Sequence, residues 1–247
     1  MSLSKREEFA RGWRVLVAAA LGSGAGVAPI AFYSLGAFIT PLTHEFGWTR
    51  AQVTSASLVL SLGMLVSGSY VGAIADRYGA RRVALFSQPI LALSLAALAL
   101  ISANVWSLYL GYFALGAVAA GTLPITWSRV VTGWFVKARG FALGLSLLGT
   151  GVLGAFLPRY VTWLSSAFGW RHAYLGLAIL PLSLGMPLAL LFFREAPADI
   201  AAQSHVARRP LSSPENSTRS WGCSFREALS TWRFWQMSSA FFSLRRW

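Results

Sequence analysis

Few side chains in this sequence could do chemistry, and where they fall narrows what the chain can be. Between Phe9 and Arg194 the only acidic residues are Glu45 and Asp76. Proton transfer needs a carboxylate or an imidazole held at the reacting place. Neither acid lies in the middle of an apolar stretch, and His44 and His172 belong to short turns, so these residues offer no proton carrier. Two arginines lie deeper. Arg159 sits near one end of its apolar run, where it can snorkel to the surface or meet a substrate, the first role being favoured. Arg129 precedes Lys137 by eight residues, which on a helix places it roughly 12 Å deeper. Its guanidinium could meet a carboxylate through two parallel hydrogen bonds or snorkel to the membrane surface, and both readings stay open. Tyr33, Tyr112, Thr122 and Arg129 form the set expected to line a substrate cavity.

Other patterns are decoys. Gly149-x-Gly151-x-x-Gly154 matches the dinucleotide-binding fingerprint letter for letter. That fingerprint needs a preceding strand and an acid about twenty residues on. Here the glycines stand inside an apolar run, and the next acid is Glu195. They fit better as points where helices pack closely, as do Gly140 and Gly144, Gly22 and Gly26, and Gly68 and Gly72. The single cysteine, Cys223, has no partner for an internal disulfide and no metal-ligand spacing around it. Asn216-Ser217-Thr218 matches a glycosylation acceptor that a cytoplasmic position would leave inert. No cofactor, no metal and no enzymatic activity are expected.

The elements that must position these residues are membrane helices. Hydrophobic residues make up 55% of the 247 and charged residues 12%, about half the charge of a soluble domain. Roughly 20 apolar residues cross the hydrocarbon of a bilayer. Six such segments run approximately Trp13–Ile39, Ala51–Ala75, Val83–Ser102, Val105–Thr126, Phe141–Leu164 and Ala173–Phe193. The first is too long for a signal-peptide core and is expected to stay in the membrane. Pro29, Pro124, Pro158, Pro181 and Pro187 fall inside spans and can bend them. The fold class expected is an all-α bundle of six transmembrane helices over residues 1–193. A cytoplasmic linker follows over 194–232, ending in a mildly amphipathic stretch from Phe225 to Trp232. Residues 233–247 read as the incomplete start of a seventh helix, interrupted by Arg245 and Arg246. That ending reads as a frameshift or an incomplete gene, and the chain alone is expected not to transport.

The net charge of +13 would suit a nucleic-acid binder only if the basic residues shared one soluble face. They stand instead in the gaps between apolar runs. With the N-terminus inside, the inner segments hold Lys5, Arg6, Arg11, Arg14, Arg77, Arg81, Arg82, Arg129, Lys137, Arg139, Arg194, Arg208, Arg209, Arg219, Arg226 and Arg233. The outer turns hold Arg50, Arg159 and Arg171. Sixteen against three places the N-terminus in the cytoplasm, with a bacterial inner membrane as the expected location. The outer turns repeat Phe46-Gly47-Trp48 and Phe168-Gly169-Trp170, in which glycine breaks the helix and tryptophan is expected at the head-group level.

Between the second and third spans stands Gly72-Ala-Ile-Ala-Asp76-Arg77-Tyr-Gly79-Ala-Arg81-Arg82. Gly72 would let another helix approach. Asp76 can pair with Arg77, with another basic group or with a helix N-terminus. Gly79 permits a tight turn, and Arg81 and Arg82 hold it on the inner side. This segment resembles the signature loop of the major facilitator superfamily. The resemblance implies a gating role, locking two six-helix halves in one conformation, with a C-terminal six-helix half as the absent partner.

A narrower resemblance runs through Trp134-Phe135-Val-Lys137-Ala-Arg139-Gly140 to Gly154, and through Tyr33-Ser-Leu-Gly36-Ala-Phe38 to Val53. Together they are similar to the monocarboxylate-transporter branch and its bacterial relatives, which include oxalate:formate exchange. What this implies is a secondary carrier of small organic anions, working by alternating access in the bilayer. In that branch the key anion-binding charges come from the second half. Where many proton-coupled members carry an arginine four residues before a glycine, this sequence has Tyr112 before Gly116. Drug or sugar efflux, and a product that does not transport, are the alternatives.

Overall fold

The computed structural model describes residues 5–194. The linker, its amphipathic end, Cys223 and the start of a seventh helix lie outside the described residues, and among those described no strand occurs. The helices are α1 (Lys5–Gly24), α2 (Val27–Phe46), α3 (Arg50–Tyr78), α4 (Ala80–Leu98), α5 (Val105–Val118), α6 (Pro124–Trp134), α7 (Arg139–Phe168), α8 (Trp170–Leu180) and α9 (Met186–Phe192). Five helices or helix pairs are long and apolar enough to cross a membrane, and the pair α5–α6, bent by 55°, makes a sixth. The chain is a multi-pass membrane protein with a helical bundle. In hydrocarbon every backbone polar group must be satisfied within its own segment, which leaves helices as the form these apolar runs take.

Hydropathy located the spans, but three of them are broken. The first apolar segment is two helices, α1 and α2, separated at Ala25 and Gly26. The fourth is interrupted by a 3-10 turn over Ala120–Thr122, after which Pro124 opens α6. The sixth passes through a π turn over Pro181–Gly185 before α9. A proline at such a point lacks the N–H that the turn cannot satisfy, which is why Pro124, Pro181 and Pro187 mark these starts. Pro158 sits inside α7 without ending it, as do Pro41 in α2 and Pro89 in α4.

The helices close a ring. α2 lies against α3, α3 against α5, α5 against α4, α4 against α8, α8 against α7, and α7 against both α1 and α2. Two cores fill it. One holds Val27, Ile30, Phe38, Leu95, Leu108, Tyr112, Leu157 and Tyr174. The other, nearer the Asp76 loop, holds Val15, Leu16, Trp127, Val131, Phe135, Ala142 and Phe193. The breaks in the first and fourth spans fall between them.

Lipid is as apolar as leucine, so helices here associate by close fit. At Gly149 a side chain would strike the backbone of Ala20 in α1, and at Gly154 it would strike the Tyr33 ring. Gly63 and Gly116 bring α3 and α5 together in the same way. Gly140, Gly144, Gly151, Gly68 and Gly72 meet nothing within 4 Å among the described residues. They lie on the sides of α7 and α3 that face away from their packed neighbours.

Candidate functional site

The Asp76 loop is built by a helix that cannot continue. α3 ends at Tyr78, and Gly79 takes φ 89°, a conformation that side chains rarely adopt. Its N–H closes the helix on the Ala75 carbonyl at 3.1 Å. Asp76, on the last turn, forms an ion pair with Arg129 of α6. Arg77 folds over the Tyr78 ring at 5.5 Å. Arg81 reaches across to α9 and donates to the Leu190 carbonyl at 3.2 Å, one of the last carbonyls of a helix, which have no partner within it. Arg82 stays exposed. The loop therefore ties α3, α6 and α9 together at one end of the bundle.

Magnitudes indicate what the ion pair is for. Both partners remain open, with 42% of the Arg129 side chain and 68% of that of Asp76 exposed. Pairs of this kind contribute about 0–1 kcal/mol to stability. Its contribution to holding the bundle together is correspondingly small.

A second tie at the same end was not apparent from the sequence. Glu8 of α1 is 3% exposed. Its carboxylate accepts the backbone N–H of Lys137 at 3.0 Å and that of Ala138 at 3.1 Å. Ala138 is the N-cap of α7 and has no side-chain oxygen to serve that role. Glu8 supplies it from another helix, at the end where a negative charge is favoured. The signal was available: an alanine before a long helix, and an acid four residues ahead of Gly12. Gly12 lies under the ring of Phe135, which also meets Phe9 at 5.1 Å between centroids.

At the breaks, Thr122 is fully buried. Its hydroxyl accepts the N–H of Val27, the first residue of α2, at 2.9 Å. Its carbonyl accepts from the Trp127 indole at 3.2 Å. Tyr112 is also buried, its hydroxyl 3.0 Å from that of Tyr174, whose ring stacks on Phe38 with centroids 4.0 Å apart. Neither Thr122 nor Tyr112 faces open space in this conformation, because each hydroxyl has its partner inside the bundle. Tyr33 is 52% exposed beside Gly154, and Arg129 is engaged by Asp76. The structure thus places two of the four cavity candidates at an open surface and two in the packing between helices.

The opposite end is closed by the repeated turns. Gly47 and Gly169 take φ 69° and 85° and stop α2 and α7. Trp48 and Trp170 are buried, because each has a polar partner within the protein. Trp48 donates to the Ala103 carbonyl at 3.1 Å, and Trp170 donates to Glu45. Arg171 pairs with the same carboxylate at 2.7 Å and lies over the Trp170 ring. Phe46 packs between the two indoles.

Residues 21–245 match the sequence profile of the Major Facilitator Superfamily. Among similar proteins, mouse monocarboxylate transporter 11 is 32% identical over 177 residues, covering 70% of this chain and 38% of its own length. The probable sulfoacetate transporter SauU of Cupriavidus necator is 31% identical, over 62% of this chain and 35% of its own. The probable anion transporter 3 of rice chloroplasts is 28% identical, over 58% of this chain and 28% of its own. The chain spans about two fifths of the length of the monocarboxylate transporters it matches.

Proposed function

The chain belongs to the Major Facilitator Superfamily, and from that premise we propose that it forms one wall of a carrier for small organic anions, mono- or dicarboxylates among them. The observation that carries this reading is the disposition of its acids. Glu8 caps α7, Glu45 is held by Trp170 and Arg171, and Asp76 is held by Arg129. All three, and Glu7 beside Glu8 in the first turn of α1, stand at the ends of helices, so among the described residues no carboxylate is left in mid-span to receive a cation. A cavity walled this way is neutral or positive, which suits an anion. The relatives, named as monocarboxylate, anion and sulfoacetate transporters, support the same class.

The working cycle we propose is alternating access about a midplane site. The exposed flank of α3, with Leu62, Leu65 and Tyr70, faces a second six-helix bundle. The Asp76 loop gates the side where it lies, which the lysine and arginine distribution favours as the cytoplasmic one; a bacterial inner membrane is the location we propose. Tyr33 and Arg129 line the path, Arg129 becoming free for substrate when its pair with Asp76 opens. Thr122 contributes by shaping the breaks beside that path, and Tyr112 by holding α5 to α8 through Tyr174.

Ligand-induced stabilisation of the purified carrier tests the substrate class, since a ligand that binds only the folded state raises its melting temperature. Carboxylates and sulfonates should raise it in a saturable way. Stabilisation by organic cations alone would refute the proposal.

A further inference from the structure

A groove of about 510 Å³ lies between α7 and α8, walled by Leu153, Phe156, Tyr160, Trp163 and Leu180, with Arg159 at its rim. Its lining is almost wholly apolar. The Tyr160 hydroxyl is turned inward, 3.5 Å from the Gly176 carbonyl. Arg159 is exposed and has no carboxylate partner among the described residues. A guanidinium at membrane depth without a counter-charge is costly, and such groups pair or reach for the head-group region.

Depth decides between those options. α7 has 30 residues, and Arg159 lies nine before its end at Phe168, which is roughly 13 Å along the axis. A helix of this length exceeds about 30 Å of hydrocarbon by roughly 7 Å at each end when centred. The Arg159 backbone then lies about 6 Å inside the hydrocarbon boundary, a depth its own side chain can span. Trp163, one turn nearer the surface and 59% exposed, sits where amphipathic rings favour the head-group level.

We infer that this groove is a binding site for an anionic phospholipid of the leaflet on the Gly169 side. One acyl chain lies along Leu153, Phe156 and Leu180, and the phosphate accepts from Arg159. The two parts of the site call for two parts of one ligand. A small anion would leave the apolar wall uncovered, and a zwitterionic lipid would bring its own cationic head group beside the guanidinium, offsetting the attraction of its phosphate. The inference depends on membrane placement and on the α7–α8 groove, not on the substrate reading above.

Native mass spectrometry of the full chain, released from phosphatidylcholine vesicles doped with phosphatidylglycerol, tests it. Wild-type protein should retain phosphatidylglycerol in preference to phosphatidylcholine. Arg159→Gln should lower that preference roughly tenfold, the scale of a charge-assisted hydrogen bond. Phe156→Ala should weaken retention of both lipids. Both side chains are exposed, and circular dichroism will show whether the helices persist. Inorganic phosphate should fail to displace the lipid, having no chain. Unchanged phosphatidylglycerol retention in Arg159→Gln would overturn the inference. So would displacement by inorganic phosphate or oxalate, which would make the place a simple anion site.

Discussion

The Thr122 hydroxyl accepts the backbone N–H of Val27 at 2.9 Å, joining residues 95 positions apart. It meets the first free N–H of α2 at the point where both the first and fourth spans break. A buried donor stripped of its acceptor costs about 1–3 kcal/mol. Thr122→Val should therefore lower the melting temperature of the purified protein, while Thr122→Ser keeps the oxygen and should not. Equal melting of the valine variant and wild type would mean that the bond does not hold the breaks together.

Glu8 should behave as a cap. Glu8→Ala removes the acceptor for Lys137 and Ala138, a loss of about 0.5–2 kcal/mol for a helix N-cap. Hydrogen exchange at those two amides should accelerate, with little change at the far end of α7. Unaltered protection there would show that the carboxylate is dispensable.

The Asp76–Arg129 pair should separate stability from gating. Asp76→Asn and Arg129→Gln should each change stability by less than about 1 kcal/mol, yet each should slow transport. Reversing the charges, Asp76→Arg with Arg129→Asp, should recover part of the rate. A reversal no faster than the single variants, with all of them well folded, would argue that the contact is not a gate.

The glycines of α7 should divide by neighbour rather than by motif. Gly149→Ala places a methyl group against the Ala20 backbone and should destabilise by about 1–3 kcal/mol, as overpacking does. Gly151→Ala, two positions on, meets nothing within 4 Å and should be neutral or stabilise by up to about 1 kcal/mol through helix propensity. Thermal melting of the two variants side by side checks this.

Much of the bundle could be read from residue order, because hydrocarbon accepts so few alternatives. The six apolar runs correspond to the spans, and the glycines of Gly47, Gly79 and Gly169 fall where helices stop. The breaks were harder to see. Trp13–Ile39 reads as one continuous apolar segment, and only Thr122, distant in sequence, shows why α2 begins afresh at Val27. Asp76 invites a basic partner and Arg129 either a carboxylate or the membrane surface, but that the two meet, across the 55° bend between α5 and α6, is a matter of tertiary packing. The partners of Trp48 and Trp170 were hidden for a related reason. The amphipathic rings of the two tryptophans suit the membrane surface, and it took the Ala103 carbonyl and the Glu45 carboxylate to draw them inward. Glu8 was hidden among basic neighbours.

The substrate class is tested most directly by uptake into vesicles containing the whole carrier to which these helices contribute. A carrier of organic anions will accumulate labelled oxalate or lactate saturably, and an unlabelled carboxylate or sulfonate will compete. Uptake of a lipophilic cation that no carboxylate inhibits, with no carboxylate carried, would contradict it.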